Sequence, residues 1–184
     1  MTIQMQRYWD KDKPTYFVEK CLSGIFNKDR YPQRRDRVNN LMDCIRNYKN
    51  AFRGQYDSVI DLQNPTLEVI PKLHTIRPGN RFKEGTKLHF KQWTGRPYHS
   101  PNYNFAPVIE CISGQSFEVL WYNQDSDYPE IKIDKQSFFA YEKEGWSVIN
   151  ELVLNDGFES VESFFNYFSS DFKGQIIHWT NLKY

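Results

Sequence analysis

The sequence predicts an α+β fold, a small mixed β-barrel with flanking helices, on three observations. Apolar residues recur every three or four positions in two N-terminal stretches and one near the C-terminus, the middle of the chain alternates with period two, and both ends read as extended. The chain has 184 residues, 39% hydrophobic and 17% aromatic, which is enough apolar material for a single domain, one core with one elaboration.

The elements follow in order. TIQMQRYW alternates as a strand does, and DKDKPTYFVEKCLSGIF reads as a first helix, with Pro14 near its start and Gly24 near its end. Phe17, Val18, Cys21, Leu22 and Ile25 form its core stripe. The basic segment that follows predicts a second amphipathic helix over 33–53. Its apolar side carries Val38, Leu41, Met42, Ile45, Tyr48 and Phe52, and its polar side Arg34, Arg35, Arg37, Arg46, Lys49 and Arg53. That polar side is either a solvated face or a surface that tracks phosphates. The apolar side is either core or a docking surface for another protein or a second copy. A loop, RGQYDSVIDLQNPTLEVIP, then leads to PKLHTIRPG.

From there the pattern is β: LHTIR, TKLHFKQW, APVIECIS, SFEVLWYN and EIKID, with turn chemistry at Pro78-Gly79-Asn80 and at Gly85. TGRPYHSPNYNFAP is long and aromatic for a hairpin loop, a place where binding concentrates. DGFESVESFFNYF predicts a last helix with Val161, Phe164, Phe165 and Phe168 on one face and Asp156 or Ser160 as its cap, and FKGQIIHWTNLKY closes as a strand.

No run of about 18 apolar residues exists, and no apolar stretch follows a basic one at the N-terminus, so a soluble, cytoplasmic protein without a membrane partner is expected. Cys21, Cys44 and Cys111 are widely spaced and read as buried thiols, and no cofactor or metal is expected. The net charge of +1 conceals a division. Residues 1–99 carry 19 Lys+Arg against 10 Asp+Glu, and residues 100–184 carry 5 against 13. Such asymmetry marks a face for a polyanion, or two parts of one domain that attract each other.

KPTYFVEK at 13–20, PKLHTIRPGNRFKEGTKLHF at 71–90, and NDGFESVESFFNYF with FKGQIIHWT within 155–180 together resemble the ASCH domains of the PUA-like superfamily. The middle piece is similar to the family's K-x-x-T-I-R … G-x-x-L pattern, and the basic segment at about 27–70 stands as a helical insertion. The resemblance implies a small β-barrel with a cleft, associated with RNA binding and RNA modification, and in some bacterial members an amidohydrolase that acts on acetylated cytidine. It also implies catalytic roles for Lys72, Thr75 and a later carboxylate, for which Asp156 is the local match.

Two chemistries suit these residues. For hydrolysis, Thr75 needs a proton acceptor, and Lys72 serves only as the neutral amine, which desolvation or nearby cations would have to favour. Asp156 would act as acid/base on the leaving amine. Strand alternation opposes this grouping, since residues 72 and 75 share a side only if Lys72 lies before the strand proper. For binding of RNA or a nucleotide, Arg77, Arg81 and Lys83 would clamp phosphates while Trp93, Tyr98, Tyr103 or Trp179 stack on bases. His74 and His178 read as hydrogen-bonded strand residues.

Overall fold

The computed structural model describes residues 1–5, 8–10, 13–52, 70–122 and 128–184, with backbone alone for 8–10 and 13–14. All but the end of the loop expected at 53–71 lies outside the described residues. Along the chain run β1 (Thr2–Gln4), β2 (Tyr8–Asp10), β3 (Lys13–Pro14), α1 (Phe17–Ile25), α2 (Arg34–Ala51), β4 (His74–Pro78), β5 (Lys87–Trp93), β6 (Asn102–Asn104) and β7 (Ile109–Glu110). β8 (Ser113–Leu120), β9 (Glu130–Ile133), β10 (Gln136–Phe139), α3 (Lys143–Asn155), α4 (Val161–Tyr167) and β11 (Phe172–His178) complete the α+β order. They gather into two compact units, residues 1–72 with 87–110 and residues 73–86 with 111–184. Among the described residues no helix is long and apolar enough to cross a membrane.

The first unit is organised by β5, whose alternation buries Leu88, Phe90 and Gln92. β1 pairs with it in parallel, Ile3 opposite Phe90, while β6 and β7 pair antiparallel with its C-terminal and N-terminal ends. Each helix lays its apolar stripe into the core. In α1, Phe17, Val18, Cys21, Leu22 and Ile25 are buried, and in α2, Leu41, Met42, Ile45 and Tyr48 are. The Tyr48 ring lies 4.4 Å from Phe52 and 6.1 Å from Phe105. At about 1.5–3 kcal/mol per fully buried large aliphatic side chain, this stripe accounts for why α2 stays docked. It is core, and is not available as the intermolecular surface that its periodicity also allowed. The polar side is solvated, with Arg46 paired to Asp43 at 2.7 Å and Arg37 donating to the carbonyls of Tyr31 and Pro32. The first helix begins later than expected. Pro14 belongs to β3, paired with β2, and Tyr16 in the left-handed conformation starts the helix.

The second unit is a five-stranded antiparallel sheet in the order β10-β9-β8-β11-β4. β9 and β10 are joined through Asp134 and Lys135, both at positive φ, as a two-residue hairpin requires. Phe117, Phe164, Phe168 and Phe172 fill one side, with ring centroids 4.7 Å apart for Phe164–Phe168 and 4.9 Å for Phe168–Phe172. Ser160, not Asp156, caps α4. Its hydroxyl accepts from the Ser163 N–H at 3.1 Å, and the Ser160 N–H donates to the Ser163 hydroxyl. Asp156 instead ends α3, a helix the sequence reading leaves out although Ile149, Leu152 and Val153 sit at helical spacing. The strand pairings among the described residues do not close a barrel.

Candidate functional site

PKLHTIRPG divides at its second residue. Lys72 lies before β4, as a shared side with Thr75 would require, and belongs to the first unit. There its backbone N–H donates to the Lys20 carbonyl at 2.8 Å, and its Nζ sits 4.7 Å from the centroid of the Phe17 ring. Leu73 opens the second unit, its N–H donating to the Asn155 carbonyl at 2.8 Å. In β4, His74 stands opposite His178, Thr75 opposite Ile177 and Arg77 opposite Gln175. Alternation therefore places Thr75 and Arg77 on one face and His74 and Ile76 on the other.

The end of α3 delivers a carboxylate to that second face. Gly157, at φ 86°, takes the left-handed position after the helix, and the Phe158 N–H turns back to the Val153 carbonyl at 3.1 Å. This brings Asn155 and Asp156 to the start of β4. Asp156 Oδ1 lies 3.3 Å from His74 Nδ1, close but off the line of a hydrogen bond, so the contact is electrostatic. His74 Nε2 is 2.8 Å from the Tyr184 hydroxyl, which also accepts from Asn155 Nδ2 at 3.0 Å. In the tautomer with its proton on Nδ1, His74 directs that proton at the carboxylate and accepts from the Tyr184 hydroxyl at Nε2.

A second chain of bonds runs beside the first. Gln115 Nε2 donates to Asp134 Oδ2 at 3.0 Å and to the Tyr184 carbonyl at 2.8 Å. Its Oε1 is therefore the acceptor for the Tyr184 N–H at 3.0 Å and for His178 Nε2 at 3.1 Å. His178 thus carries its proton on Nε2, and its ring centroid is 5.3 Å from that of His74. Burial, with His74 and Lys183 nearby, pulls the His178 pKa down to about 3 against the smaller opposing effect of Asp134, so the ring is neutral near pH 7. Burial also pushes the Tyr184 phenol well above its usual range. His74, His178, Gln115 and Asp156 are buried. Two carboxylates, two imidazoles, two side-chain amides and a phenol tie β4, β8, β11, the β9–β10 turn and the end of α3 to the closing segment.

The residues read as catalytic are all interior. Lys72 is 1%, Thr75 3% and Asp156 5% exposed, but the carboxylate meets His74, whose side chain points away from Thr75's face. The residues read as nucleic-acid contacts divide between the units. In the second, the turn after β4 is pinned by Phe82, whose N–H and carbonyl both bond the Gln175 amide, at 2.9 and 2.8 Å. Arg77 is half-buried there, and Arg81 and Lys83 are exposed on either side of Phe82.

In the first unit, Trp93 and Tyr98 pair with centroids 5.3 Å apart, and Tyr98 is 86% exposed at φ 64°. Tyr103 is half-buried, 6.1 Å from the Tyr48 ring, and burial raises its phenol pKa. Trp179 is a correction. It is fully buried, with no ring face left for a base.

Sequence reasoning did not find Gln115, Asn155 or Tyr184, because only long-range pairing joins them to His74 and His178. No family model matches the chain, and no curated protein or solved structure is significantly similar to it.

Proposed function

We propose that this chain is a cytoplasmic ASCH-type protein of the PUA-like superfamily, its strands part of a small β-barrel, and that it binds single-stranded RNA or a modified nucleotide. The loop at 94–101 carries the reading. Thr94 bonds the Pro101 carbonyl through both its N–H and its hydroxyl at 3.0 Å. Gly95 N–H donates to the Ser100 hydroxyl at 2.9 Å, and that hydroxyl donates to the Arg96 carbonyl at 2.9 Å. These bonds hold Tyr98 in a left-handed conformation that costs a bulky residue on the order of 1–3 kcal/mol. In return the ring is 86% exposed, so the order of the loop serves presentation rather than packing. A base stacked on such a ring contributes about 1–3 kcal/mol, and exposed Arg96 supplies a cation for the adjoining phosphate.

Within the second unit, taken by itself, Arg81 and Lys83 are exposed and have no ion pair among the described residues. Fluorescence anisotropy with labelled single-stranded RNA tests the reading. Binding is expected to weaken steeply from low to physiological salt and to weaken further in Tyr98→Ala and Arg77→Ala; no binding at low salt sinks it.

A second reading, an amidohydrolase on an acylated nucleoside such as acetylcytidine, rests on one observation: Lys72, Thr75 and Asp156 are all among the buried polar side chains, where such groups are uncommon. Acetate release from acetylcytidine is then expected, and it is lost in Lys72→Ala and Thr75→Ala. Activity untouched by both substitutions contradicts the mechanism.

A further inference from the structure

The second unit holds a pocket of about 350 Å³ that neither reading uses, lined by residues just after β8, just before β9, and within and just after α4. Its lining is Trp121, Tyr128, Phe165, Glu162, Asn166 and Ser169. The volume is at the small end of ligand sites, of the size that takes a compact head group. Phe165 is nearly buried and forms the floor, while Tyr128, 43% exposed, is an outer wall. The Trp121 ring is held in place. Its Nε1–H donates to the Phe168 carbonyl at 2.9 Å and its backbone N–H to Asp171 at 2.7 Å. Trp121 and Phe165 are inclined by 80° with centroids 6.2 Å apart, and Tyr128 and Phe165 by 52° at 5.6 Å. Rings at such angles line a concavity instead of stacking shut.

The chemistry of this lining is one-sided. Aromatic faces carry negative electrostatic potential, and among the described lining residues the ionisable side chain besides the tyrosine is the carboxylate of Glu162, which has no ion pair among the described residues. Among the described lining residues there is no Lys, Arg or His, so an anion meets no cation among them. A metal ion finds a single carboxylate among the described lining residues. A primary ammonium is strongly hydrated and loses its water shell against three rings. A methylated ammonium, apolar on its surface and positive throughout, matches both the rings and Glu162, and Asn166 and Ser169 can bond the polar group attached to it.

We propose that this pocket is a binding site for a quaternary or methylated ammonium group. Choline and its neutral isostere 3,3-dimethylbutan-1-ol separate charge recognition from mere apolar filling, and titration calorimetry on the full chain measures both. Choline is expected to bind roughly two- to fivefold tighter than the isostere, the scale of a cation–π contact at a site open to solvent. Glu162→Gln is expected to weaken choline several-fold and leave the isostere unchanged, and Tyr128→Ala to weaken choline in a chain that still unfolds cooperatively. Equal affinity for the two probes, or no choline binding, overturns the proposal. Free trimethyllysine is the third arm. Tighter binding than choline assigns the site to a methylated side chain, and weaker binding to a small ammonium compound.

Discussion

His178 occupies the middle of a three-strand row, between His74 on β4 and Ser113 on β8, with one ring nitrogen committed to Gln115. Its charged form has no place there, which makes stability depend on pH with a definite sign. The folded-state pKa of about 3 lies below the ordinary 6.5, so the unfolded chain takes up a proton that the folded chain refuses. The contribution of this residue is fully present above pH 6.5 and is lost as pH falls from there toward 3. One such group gives a slope of at most about 1.4 kcal/mol per pH unit. Urea unfolding at pH 7 and pH 5 measures it. His178→Gln, which keeps a donor near Nε2, is expected to show a shallower loss than the parent chain, and an unchanged slope removes His178 as the cause. Trp179, one residue on, shows the limit of reading residue type alone. An aromatic beside a histidine at a strand end suits stacking on a base and suits core packing equally, and its full burial decides for core.

At the scale of elements, β11 does the most to build the second unit, since it pairs with β8 over seven registered positions and with β4 over five. Gly174 permits that close approach, because a Cβ there would lie 2.2 Å from the Arg77 carbonyl oxygen. Gly174→Ala should therefore force the two strands apart and destabilise the chain by about 1–3 kcal/mol, the usual cost of overpacking. Thermal unfolding checks this, and a melting temperature equal to that of the parent would show that the sheet adjusts freely. The strands with clean alternation, β5 above all, were legible in the sequence because one face is buried and the other wet. α3 was not. Its Gly145 and β-branched Val148, Ile149 and Val153 weaken the local helical signal, and what secures the helix is packing on β10, where Gly145 lies against the Phe139 backbone. β6 is three residues inside a stretch that reads as loop, and only its register with β5 makes it a strand.

Across the whole molecule, the division of charge is sharper between the halves of the sequence than between the two units, but it keeps its sign in both. The residues of the first unit carry 16 Lys+Arg against 10 Asp+Glu, and those of the second 8 against 13. The two proposals agree with this sign, a polyanion on the unit that presents Tyr98 and Arg96 and a methylated cation on the unit that holds the Trp121 pocket. The fold class was readable from periodicity, whereas the His74–Tyr184 network was not, because its members are 110 residues apart in sequence. The presentation of Tyr98 was half legible: a long aromatic loop marked the place, but the bonds that fix it depend on Ser100 and Thr94 folding back.

The most direct measurement is the dissociation constant for single-stranded RNA across a salt series, for the parent chain and for Tyr98→Ala. Affinity of the parent should fall with salt with a logarithmic slope of about −0.7 for each phosphate contacted, Arg96 supplying the contact beside Tyr98. Tyr98→Ala should bind roughly tenfold more weakly with the same slope, since it removes a stacking face and no charge. Absence of binding at low salt, or Tyr98→Ala binding as tightly as the parent, would contradict the account.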